Sequence, residues 1–464
     1  MQVRKSIEAR LISKLPPYLN DVPDVVRAFN PYVIINDTAS GFFEMECQDI
    51  EGGFTFKLTN ENGVVIDEFY AIEEEDFLKY KKLTKRFVKT LLYKYFSSAL
   101  KVNLPYGSLT GVRPTKLMYE LGANVDVEKY MQDEFFVSAE RAQLIHDVII
   151  NQKGIYNHDP KGIDIFVNIP FCPTRCAYCS FISTEIGRVR KRIPEYIECV
   201  KQEILDIKKE IEQNEYKVRS IYVGGGTPTS LEAEELSDML AELSEFNCEF
   251  TVEAGRPDSI TRAKLDALKA LNVTRISINP QTFKESTLKE LGRNHTVEEI
   301  YSAYKMAQEY NFDINMDLIA GLNGETYEDF VHSVESAIAL DPDNITVHTL
   351  SIKRGGVLKQ EGGTKRMDGS VRQMADYARN RLQAQGLTPY YMYRQKNMAD
   401  NLENVAFCKS GKQCIYNIDY MEETNTILSA GAGAMSKYVF PSENRLERAC
   451  NPKGFNEYIA RCKK

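Results

Sequence analysis

The chain has 464 residues, 43% of them hydrophobic and 27% charged, and carries a formal net charge of -8. A chain of this length usually divides into two or three domains, because single cores stop growing near roughly 250 to 300 residues. The charges are mixed in sign along the chain, which argues against a nucleic-acid partner. The first residues lack the apolar core of a signal peptide, and no run of about 18 apolar residues occurs. We therefore expect a cytoplasmic protein with no integral membrane segment.

Residues 1–155 are expected to form a small α+β accessory domain. The runs GFFEMEC (41–47) and GFTFKLTN (53–60) alternate apolar and polar residues, and NENG (60–63) predicts a turn. This pattern is typical of a small antiparallel sheet. Apolar residues recur at helical spacing over 82–100, which predicts a helix that covers the sheet.

Between residues 160 and 355 apolar strands alternate with amphipathic helices. Six strands are predicted, at 163–169, 219–225, 249–254, 274–279, 312–321 and 344–350. Strand, helix and strand repeated in this way predict a parallel sheet, and six such units with right-handed crossovers predict a partial (β/α)6 TIM-like barrel. The expected fold class is therefore α/β, with a C-terminal extension over 356–464.

Three of the ten cysteines, Cys172, Cys176 and Cys179, lie directly after the first predicted barrel strand. A structural zinc site would need four ligands, but no second C-x-x-C pair follows and the chain has five histidines in all. A disulfide would leave one thiol unpaired and suits an oxidising compartment. A [4Fe-4S] cluster usually takes four cysteines, so three thiolates would leave one iron open to a substrate or cofactor. The cluster is the interpretation that gives the missing fourth ligand a function.

The C-x3-C-x2-C spacing after the first strand of a partial barrel resembles the radical S-adenosylmethionine (SAM) superfamily. In that superfamily the open iron binds the amino and carboxylate groups of SAM, and reduction cleaves SAM to a 5'-deoxyadenosyl radical. The resemblance implies a radical SAM barrel over 160–355, a [4Fe-4S] cluster held by Cys172, Cys176 and Cys179, and SAM as the second cofactor.

Glycine or polar residues near the ends of the later strands are candidate SAM ligands. Three glycines before Thr227 allow close backbone approach, and Thr227 can cap the helix that follows. The resemblance assigns this segment to the methionine amine site, Glu253 to the SAM amine and Arg293 to the SAM carboxylate. It assigns Gln281 and Asp317 to the ribose hydroxyls, for which amide and carboxylate oxygens are suitable acceptors. The full set is Gly225, Gly226, Thr227, Glu253, Gln281, Arg293 and Asp317.

Further segments resemble the oxygen-independent coproporphyrinogen III dehydrogenase family: GGGTPTSL (224–231), RISINPQTF (275–283), GRNHT (292–296), DLIAGLNGET (317–326) and LSAGAGAMSKY (428–438). Two more resemble its HemZ branch: GSLTGVRPTKLMYEL (107–121) and YMYRQKN (391–397). The resemblance implies oxidative decarboxylation of two propionates of coproporphyrinogen III to vinyl groups in haem biosynthesis. It also implies an electron donor such as flavodoxin or ferredoxin.

A tetrapyrrole with propionate side chains needs cations and aromatic walls around it. The C-terminal region 356–464 is expected to enclose this substrate. The candidate substrate residues are His348, Lys353, Arg354, Tyr391, Tyr393, Arg394 and Lys396.

Two departures from the dehydrogenase pattern bear on the activity. Phe181 stands where that pattern has a further cysteine, as it does in the haem-chaperone branch of the family. Phe166 and Asn168 replace the tyrosine and histidine of the dehydrogenase motif. The sequence therefore leaves two alternatives beside decarboxylation, a haem-binding chaperone and another radical SAM reaction on a porphyrin.

Overall fold

The computed structural model describes residues 6–30, 32–122, 124–179, 181, 184–352, 366–443 and 445–463. The chain forms two compact units, Met1–His146 and Asp147–Lys464. The domain limits predicted near residues 155, 160 and 355 stay predictions. No helix in the described part of the chain is long and apolar enough to cross a membrane.

The first unit contains one five-stranded sheet. Its strands are β1 (Ile7–Lys14), β2 (Val33–Ile35), β3 (Phe42–Ile50), β4 (Gly53–Asn60) and β5 (Gly63–Ala71). Strands β3, β4 and β5 pair antiparallel, as expected from the sequence. The expectation was wrong for β1, which pairs parallel with both β2 and β3. A helical segment between β1 and β2 provides the crossover that a parallel pair requires.

The helices numbered from the start of the chain are α1 (Pro23–Ala28), α2 (Phe77–Leu100), α3 (Pro114–Leu121), α4 (Val127–Phe135) and α5 (Ala139–Asn151). Asp76 caps α2 by accepting hydrogen bonds from the backbone of Leu78 and Lys79. Helix α2 buries Val88, Leu92 and Phe96 in the core of the first unit, where Phe96 packs edge-on against Phe43 of β3 at 5.0 Å between ring centroids. The prediction that a helix covers this sheet is confirmed.

The second unit contains an eleven-stranded sheet and a short two-stranded one. The strands are β6 (Gly162–Ile169), β7 (Phe171–Cys172), β8 (Thr184–Glu185), β9 (Lys217–Gly225), β10 (Glu249–Gly255), β11 (Arg275–Ile278), β12 (Asp313–Ala320), β13 (Asn344–Thr349), β14 (Thr388–Tyr393), β15 (Asn404–Cys408), β16 (Thr426–Ala430), β17 (Met435–Phe440) and β18 (Arg445–Cys450). Strands β7 and β8 pair with each other.

The six predicted barrel strands are β6, β9, β10, β11, β12 and β13. They lie side by side in the sheet in the order in which they occur in the chain, and each pairs parallel with its neighbour. Their interior residues are buried, as expected for a parallel sheet covered by helices. Strand β16 adds a seventh parallel strand beside β6. Strands β15 and β14 extend one edge antiparallel, and β17 and β18 extend the other. The predicted partial-barrel arrangement is confirmed.

Helices connect the parallel strands. They are α6 (Ile186–Val189), α7 (Ile193–Asn214), α8 (Ala233–Leu240), α9 (Arg262–Ala270), α10 (Glu285–Glu290), α11 (Val297–Gln308), α12 (Tyr327–Ala339), α13 (Ser370–Ala384), α14 (Ile415–Glu422) and α15 (Phe455–Cys462). Short 3-10 helices lie at Pro17–Leu19, Arg190–Arg192, Pro228–Ser230, Ala241–Leu243, Pro257–Ser259, Ala399–Asn401 and Pro441–Glu443. Parallel pairing brings the carboxyl ends of β6 and β9 to β13 to one edge of the sheet, where barrel enzymes build their active sites.

Candidate active site

A cavity of about 690 Å³ opens at the carboxyl ends of the parallel strands and extends along the inner face of the sheet. Its floor is lined by Arg275 and Asn344, the first residues of β11 and β13. The predicted site residues that line it are Cys172, Cys176, Cys179, Gly225, Gly226, Thr227, Glu253, Gln281, Arg293, Asp317, His348, Tyr391 and Tyr393. The three thiols, the candidate SAM ligands and two of the candidate tyrosines therefore line the same cavity.

Of the remaining predicted substrate residues, Arg394 and Lys396 do not line this cavity. Arg394 donates from Nη2 to the carbonyl oxygen of Asn401 at 3.1 Å, and the side chain of Lys396 is exposed. Lys353 and Arg354 lie outside the described residues. A role in substrate binding for these four residues stays a prediction.

The cysteine loop is fixed by backbone contacts on both sides. Cys172 ends β7, and the backbone N–H of Cys179 donates to the carbonyl oxygen of Cys176 at 3.0 Å. The N–H of Ala177 donates to the carbonyl of Leu291 at 3.1 Å, which anchors the loop on the segment after α10. All three thiols are partly buried, and burial raises the pKa of the Cys179 thiol.

The donor set fits an iron-sulfur cluster better than a single metal ion. Within the described ranges, no three His, Cys, Asp or Glu side chains converge closely enough to hold one ion. Zinc would require such convergence, whereas a [4Fe-4S] cluster binds each thiolate through a different iron. Three separate thiols at one end of a cavity match the second arrangement.

Two arginines face the middle cysteine. The Nη1 atoms of Arg256 and Arg293 each lie 3.9 Å from Cys176 Sγ. Arg293 also donates to the Tyr178 hydroxyl at 3.1 Å, and Arg256 forms a two-pronged ion pair with Asp258 at 2.9 and 2.8 Å. Both arginines are almost fully buried, so their positive charge would stabilise a thiolate at Cys176.

Arg256 was missed by the sequence analysis, although it directly follows β10 in VEAGRPDS, three residues after Glu253. A basic residue just past the carboxyl end of a barrel strand was the available signal. The His295 ring, 3.6 Å away, and the hydrogen bonds from Arg256 lower the pKa of Asp258 despite its burial, so the carboxylate remains charged beside the arginine.

The glycines after β9 are required by close backbone contacts. A Cβ on Gly225, whose φ is +100°, would lie 1.9 Å from Asn168 Oδ1. A Cβ on Gly226 would lie 2.4 Å from the carbonyl oxygen of Phe171. The expectation that Thr227 caps the next helix was wrong, because its hydroxyl instead lies 3.7 Å from Cys172 Sγ.

Glu253 is partly buried near the end of β10 and has few partners. The Tyr222 hydroxyl donates to its Oε1 at 2.5 Å, and the N–H of Gly225 donates to its Oε2 at 3.3 Å. Burial raises the pKa of Glu253 to about 7, and the negative charge of Asp317 acts in the same direction. Such a carboxylate would be stabilised by a cationic ligand such as an amine.

Gln281 and Asp317 meet where β12 ends. Gln281 has a φ of +68°, and its backbone N–H donates to the carbonyl of Asp317 at 2.9 Å. Its side-chain Oε1 is buried and has no hydrogen-bond partner among the described residues. Asp317 accepts from Asn315 at 2.8 Å and lies 3.6 Å from His348 Nε2, and His348 lowers the pKa of Asp317 although burial acts to raise it. An orphaned acceptor and a charged one therefore suit hydroxyl donors of a ligand.

The other side of the cavity is aromatic. Tyr222 stacks on Tyr416 at 4.5 Å between ring centroids, and Tyr391 stacks on Tyr393 at 5.7 Å. Phe166, one of the two departures from the dehydrogenase motif, stacks on Tyr416 at 5.9 Å. Burial raises the pKa values of Tyr391 and Tyr393, so both hydroxyls are neutral. These rings give the cavity a flat, largely apolar wall.

Comparison with known proteins agrees with this geometry. The Radical SAM superfamily model matches residues 167–337. The oxygen-independent coproporphyrinogen-III oxidase-like protein HemZ of Bacillus subtilis is 36% identical over 401 residues, which cover 82% of this chain and 80% of that protein. The chain belongs to this radical SAM family. Membership of the radical SAM family implies a [4Fe-4S] cluster and SAM as cofactors, and the three thiols and the acceptors opposite them fit those groups.

Other radical SAM relatives differ in what they do. The haem chaperone HemW of Bacillus subtilis is 30% identical over 58% of this chain and 69% of its own length. The solved structure of coproporphyrinogen III oxidase (HemN) from Escherichia coli matches with a TM-score of 0.52 at 21% identity, covering 68% of this chain and 72% of that one. The structural likeness shows the shared fold.

Proposed function

We propose that this radical SAM protein acts on a tetrapyrrole and oxidatively decarboxylates two propionates of coproporphyrinogen III to vinyl groups, giving protoporphyrinogen IX for haem biosynthesis. The observation that supports this most is the single cavity that joins the cysteines to a wall of stacked tyrosines. The name of the HemZ relative points to the same reaction class.

The chain's own residues would bind and orient SAM. The Glu253 carboxylate would accept a hydrogen bond from the SAM amine, and the positive charge of the amine would balance the negative charge of the carboxylate. Arg293 would pair with the SAM carboxylate beside Cys176. The Gln281 Oε1 atom and the Asp317 carboxylate would accept from the ribose hydroxyls. Gly225, Gly226 and Thr227 would leave room for the methionine end. When bound, the cluster and SAM supply the electron and the hydrogen-atom abstraction from a propionate.

The aromatic wall would hold the tetrapyrrole and keep water away from the reacting carbon. Tyr391 and Tyr393 present flat faces that suit packing against pyrrole rings. His348 lines the same cavity and contacts Asp317, so it would lie between the SAM ribose and the substrate. Excluding water protects a reactive intermediate from side reactions.

The reaction would also need a one-electron reductant to cleave SAM and a one-electron acceptor for the electron that the substrate radical releases as carbon dioxide leaves. We expect a one-electron donor such as flavodoxin or ferredoxin, and a cytoplasmic location in which such donors and reduced thiols are available. A haem-biosynthetic role agrees with this compartment.

One observation favours a second candidate, a haem chaperone. The side chain of Phe181 is 63% exposed and lines the cavity beside Cys179. An exposed aromatic ring at the entrance suits stacking on a haem face, and the HemW relatives are named as haem chaperones. Another radical SAM reaction on a porphyrin is compatible with the same cavity.

Anaerobic turnover separates decarboxylation from other chemistry. Reconstituted protein, SAM, dithionite and coproporphyrinogen III should give protoporphyrinogen and 5'-deoxyadenosine, identified by mass spectrometry. The variant Cys176→Ala serves as the matched control and should give neither. Cleavage of SAM with an unaltered tetrapyrrole contradicts the decarboxylase proposal, and a product of different mass identifies the alternative reaction.

Haem titration tests the second candidate independently. A chaperone should take up haem stoichiometrically, show a haem-dependent absorbance band and pass the haem to an apoprotein. Phe181→Ser should weaken that uptake, while Phe69→Ser, which alters an exposed phenylalanine of the other unit, should not. Absence of the band excludes the chaperone.

A further inference from the structure

A pair of cysteines lies outside the active-site cavity, between α7 and the last helix, α15. Cys199 is on α7 and is 2% exposed, and Cys462 is the exposed last residue of α15. Neither belongs to the cluster motif, and neither lines the cavity. Their position has to be explained separately from the radical chemistry.

Two contacts on either side of Cys199 fix α15 against α7. Glu195 accepts from Lys463 Nζ at 2.6 Å, and Glu203 accepts from the Tyr458 hydroxyl at 2.7 Å. Residues 195, 199 and 203 are four apart, so they share one face of α7. Cys462 lies next to Lys463 and four residues after Tyr458, so it lies on the facing side of α15.

In this arrangement Cys199 and Cys462 lie on facing sides of the two helices. Burial raises the pKa of the Cys199 thiol to about 12, and the nearby Cys462 thiol acts in the same direction. A disulfide needs two β-carbons that already point at each other across two packed elements. The paired contacts at Glu195 and Glu203 hold the two helices together on either side of Cys199.

We propose that Cys199 and Cys462 are a reversible disulfide site that ties the C-terminal helix to α7. The oxidant is a low-molecular-weight disulfide. The exposed Cys462 sulfur attacks it, forming a mixed disulfide and releasing one thiol, and Cys199 then displaces the second thiol as the protein disulfide forms. Two protein thiols are oxidised and one small disulfide is reduced to two thiols.

The bond would fix a segment that packs close to the cluster loop. Phe455 of α15 contacts Phe171 at 5.6 Å and Tyr196 at 6.0 Å between ring centroids. Phe171 directly precedes Cys172. Oxidation would therefore hold α15 against the start of the cysteine loop. The disulfide itself would lie outside the cavity. This inference does not depend on the proposed substrate.

Mass spectrometry of the anaerobic holoprotein treated with oxidised glutathione tests the site. After alkylation and non-reducing digestion we expect a peptide linked through Cys199 and Cys462 that dithiothreitol separates. Because the bond closes a long loop, the oxidised protein should also unfold at a higher temperature than the reduced protein.

Single variants make the result specific. Cys462→Ser, at an exposed position, should remove both the linked peptide and the temperature increase, and Cys199→Ser should do the same. Cys450→Ser, which changes another exposed cysteine, should leave both intact. A glutathione adduct on Cys462 without the cross-link, or a cross-link from Cys462 to another cysteine, overturns the proposal.

Discussion

The two ends of the parallel strands both bury charge, but they satisfy it differently. At the amino ends, Arg275 donates to Asn344 and to Glu249, the latter at 3.3 Å, and Arg219 donates to Asp419 at 2.9 Å. At the carboxyl ends, Glu253 has hydrogen bonds only from Tyr222 and a backbone N–H among the described residues.

The difference distinguishes charges that stabilise the fold from charges that would bind a ligand. Opposite charges at the amino ends compensate each other, so removing one leaves its partner buried and unpaired. At the carboxyl ends, the Glu253 carboxylate has no hydrogen bond from a cationic side chain among the described residues, and the Gln281 Oε1 atom has no partner there. Changes at the amino ends should therefore reduce stability, and changes at the carboxyl ends should reduce cofactor binding.

The largest effect is expected from Cys176→Ala. Loss of one of three thiolates should abolish cluster assembly, because the remaining two cannot hold the cluster against solution thiols. Iron content and the electron paramagnetic resonance signal of the reduced protein measure this, and the unfolding temperature of the apoprotein should change little. Cys450→Ala is the control with full iron content. A normal cluster in Cys176→Ala contradicts the assignment.

Arg275→Met should lower the free energy of unfolding by about 3 to 5 kcal/mol, since it leaves the buried Glu249 without its cation. Urea unfolding measures the loss. Arg262→Met, which breaks the exposed pair with Glu309, should cost far less, because solvent screens an exposed ion pair. The SAM affinity of the folded Arg275→Met protein should be retained. A loss of SAM binding without a loss of stability would contradict the distinction between the two ends of the strands.

Glu253 should make the apoprotein less stable as the pH rises. Its pKa of about 7 lies above its ordinary value of 4.5, so the folded state holds the proton more tightly than the unfolded state. Stability from this group is full below pH 4.5 and falls by up to about 3 kcal/mol as the pH rises past 7. Tyr222, Asp317 and His348 face the carboxyl group. Urea unfolding at pH 5 and 8 should show this fall in the wild type, and its persistence in Glu253→Gln would contradict the prediction.

Glu253→Gln should weaken SAM binding by about 2 kcal/mol, roughly 30-fold, because the amide cannot balance the charge of an amine. Isothermal titration of the anaerobic holoprotein measures this. Wild-type affinity should fall as the pH drops below 7, and the affinity of the variant should not follow that fall. Glu234→Gln, at an exposed position of α8, is the matched control. Equal affinities at pH 8 would reject the role of Glu253.

Tyr222→Phe should have the smallest effect. It removes the hydroxyl that donates to Glu253 but keeps the ring stacked on Tyr416, so SAM affinity should fall by about 1 kcal/mol, roughly 5-fold. Tyr216→Phe, just before β9, should leave the affinity unchanged. A loss as large as that in Glu253→Gln would mean that Tyr222 contacts the ligand itself.

The six barrel strands were predictable because strands buried on both faces form continuous apolar runs. The sequence spacing of Cys172, Cys176 and Cys179 also indicated that these thiols lie together, and all three line the cavity. Three features were not predictable. The parallel pairing of β1 depends on a crossover, which the alternation of apolar and polar residues does not indicate. The hydroxyl of Thr227 lies near Cys172 instead of capping a helix. Strand β16 pairs with β6, which lies far earlier in the chain. Arg256 had a local signal, but its contact with Cys176 arises only when two strand ends meet.

The pairing of β16 with β6 has a consequence for biosynthesis. The cysteine loop leaves β6 directly, whereas one edge of β6 stays open until residues 426–430 emerge from the ribosome. Gly431 then packs on the carbonyl of Asn168, and the Asn168 side chain donates to Ala432. Because that edge of β6 is completed only when residues 426–430 have been synthesised, we expect iron and sulfide to be inserted after that point.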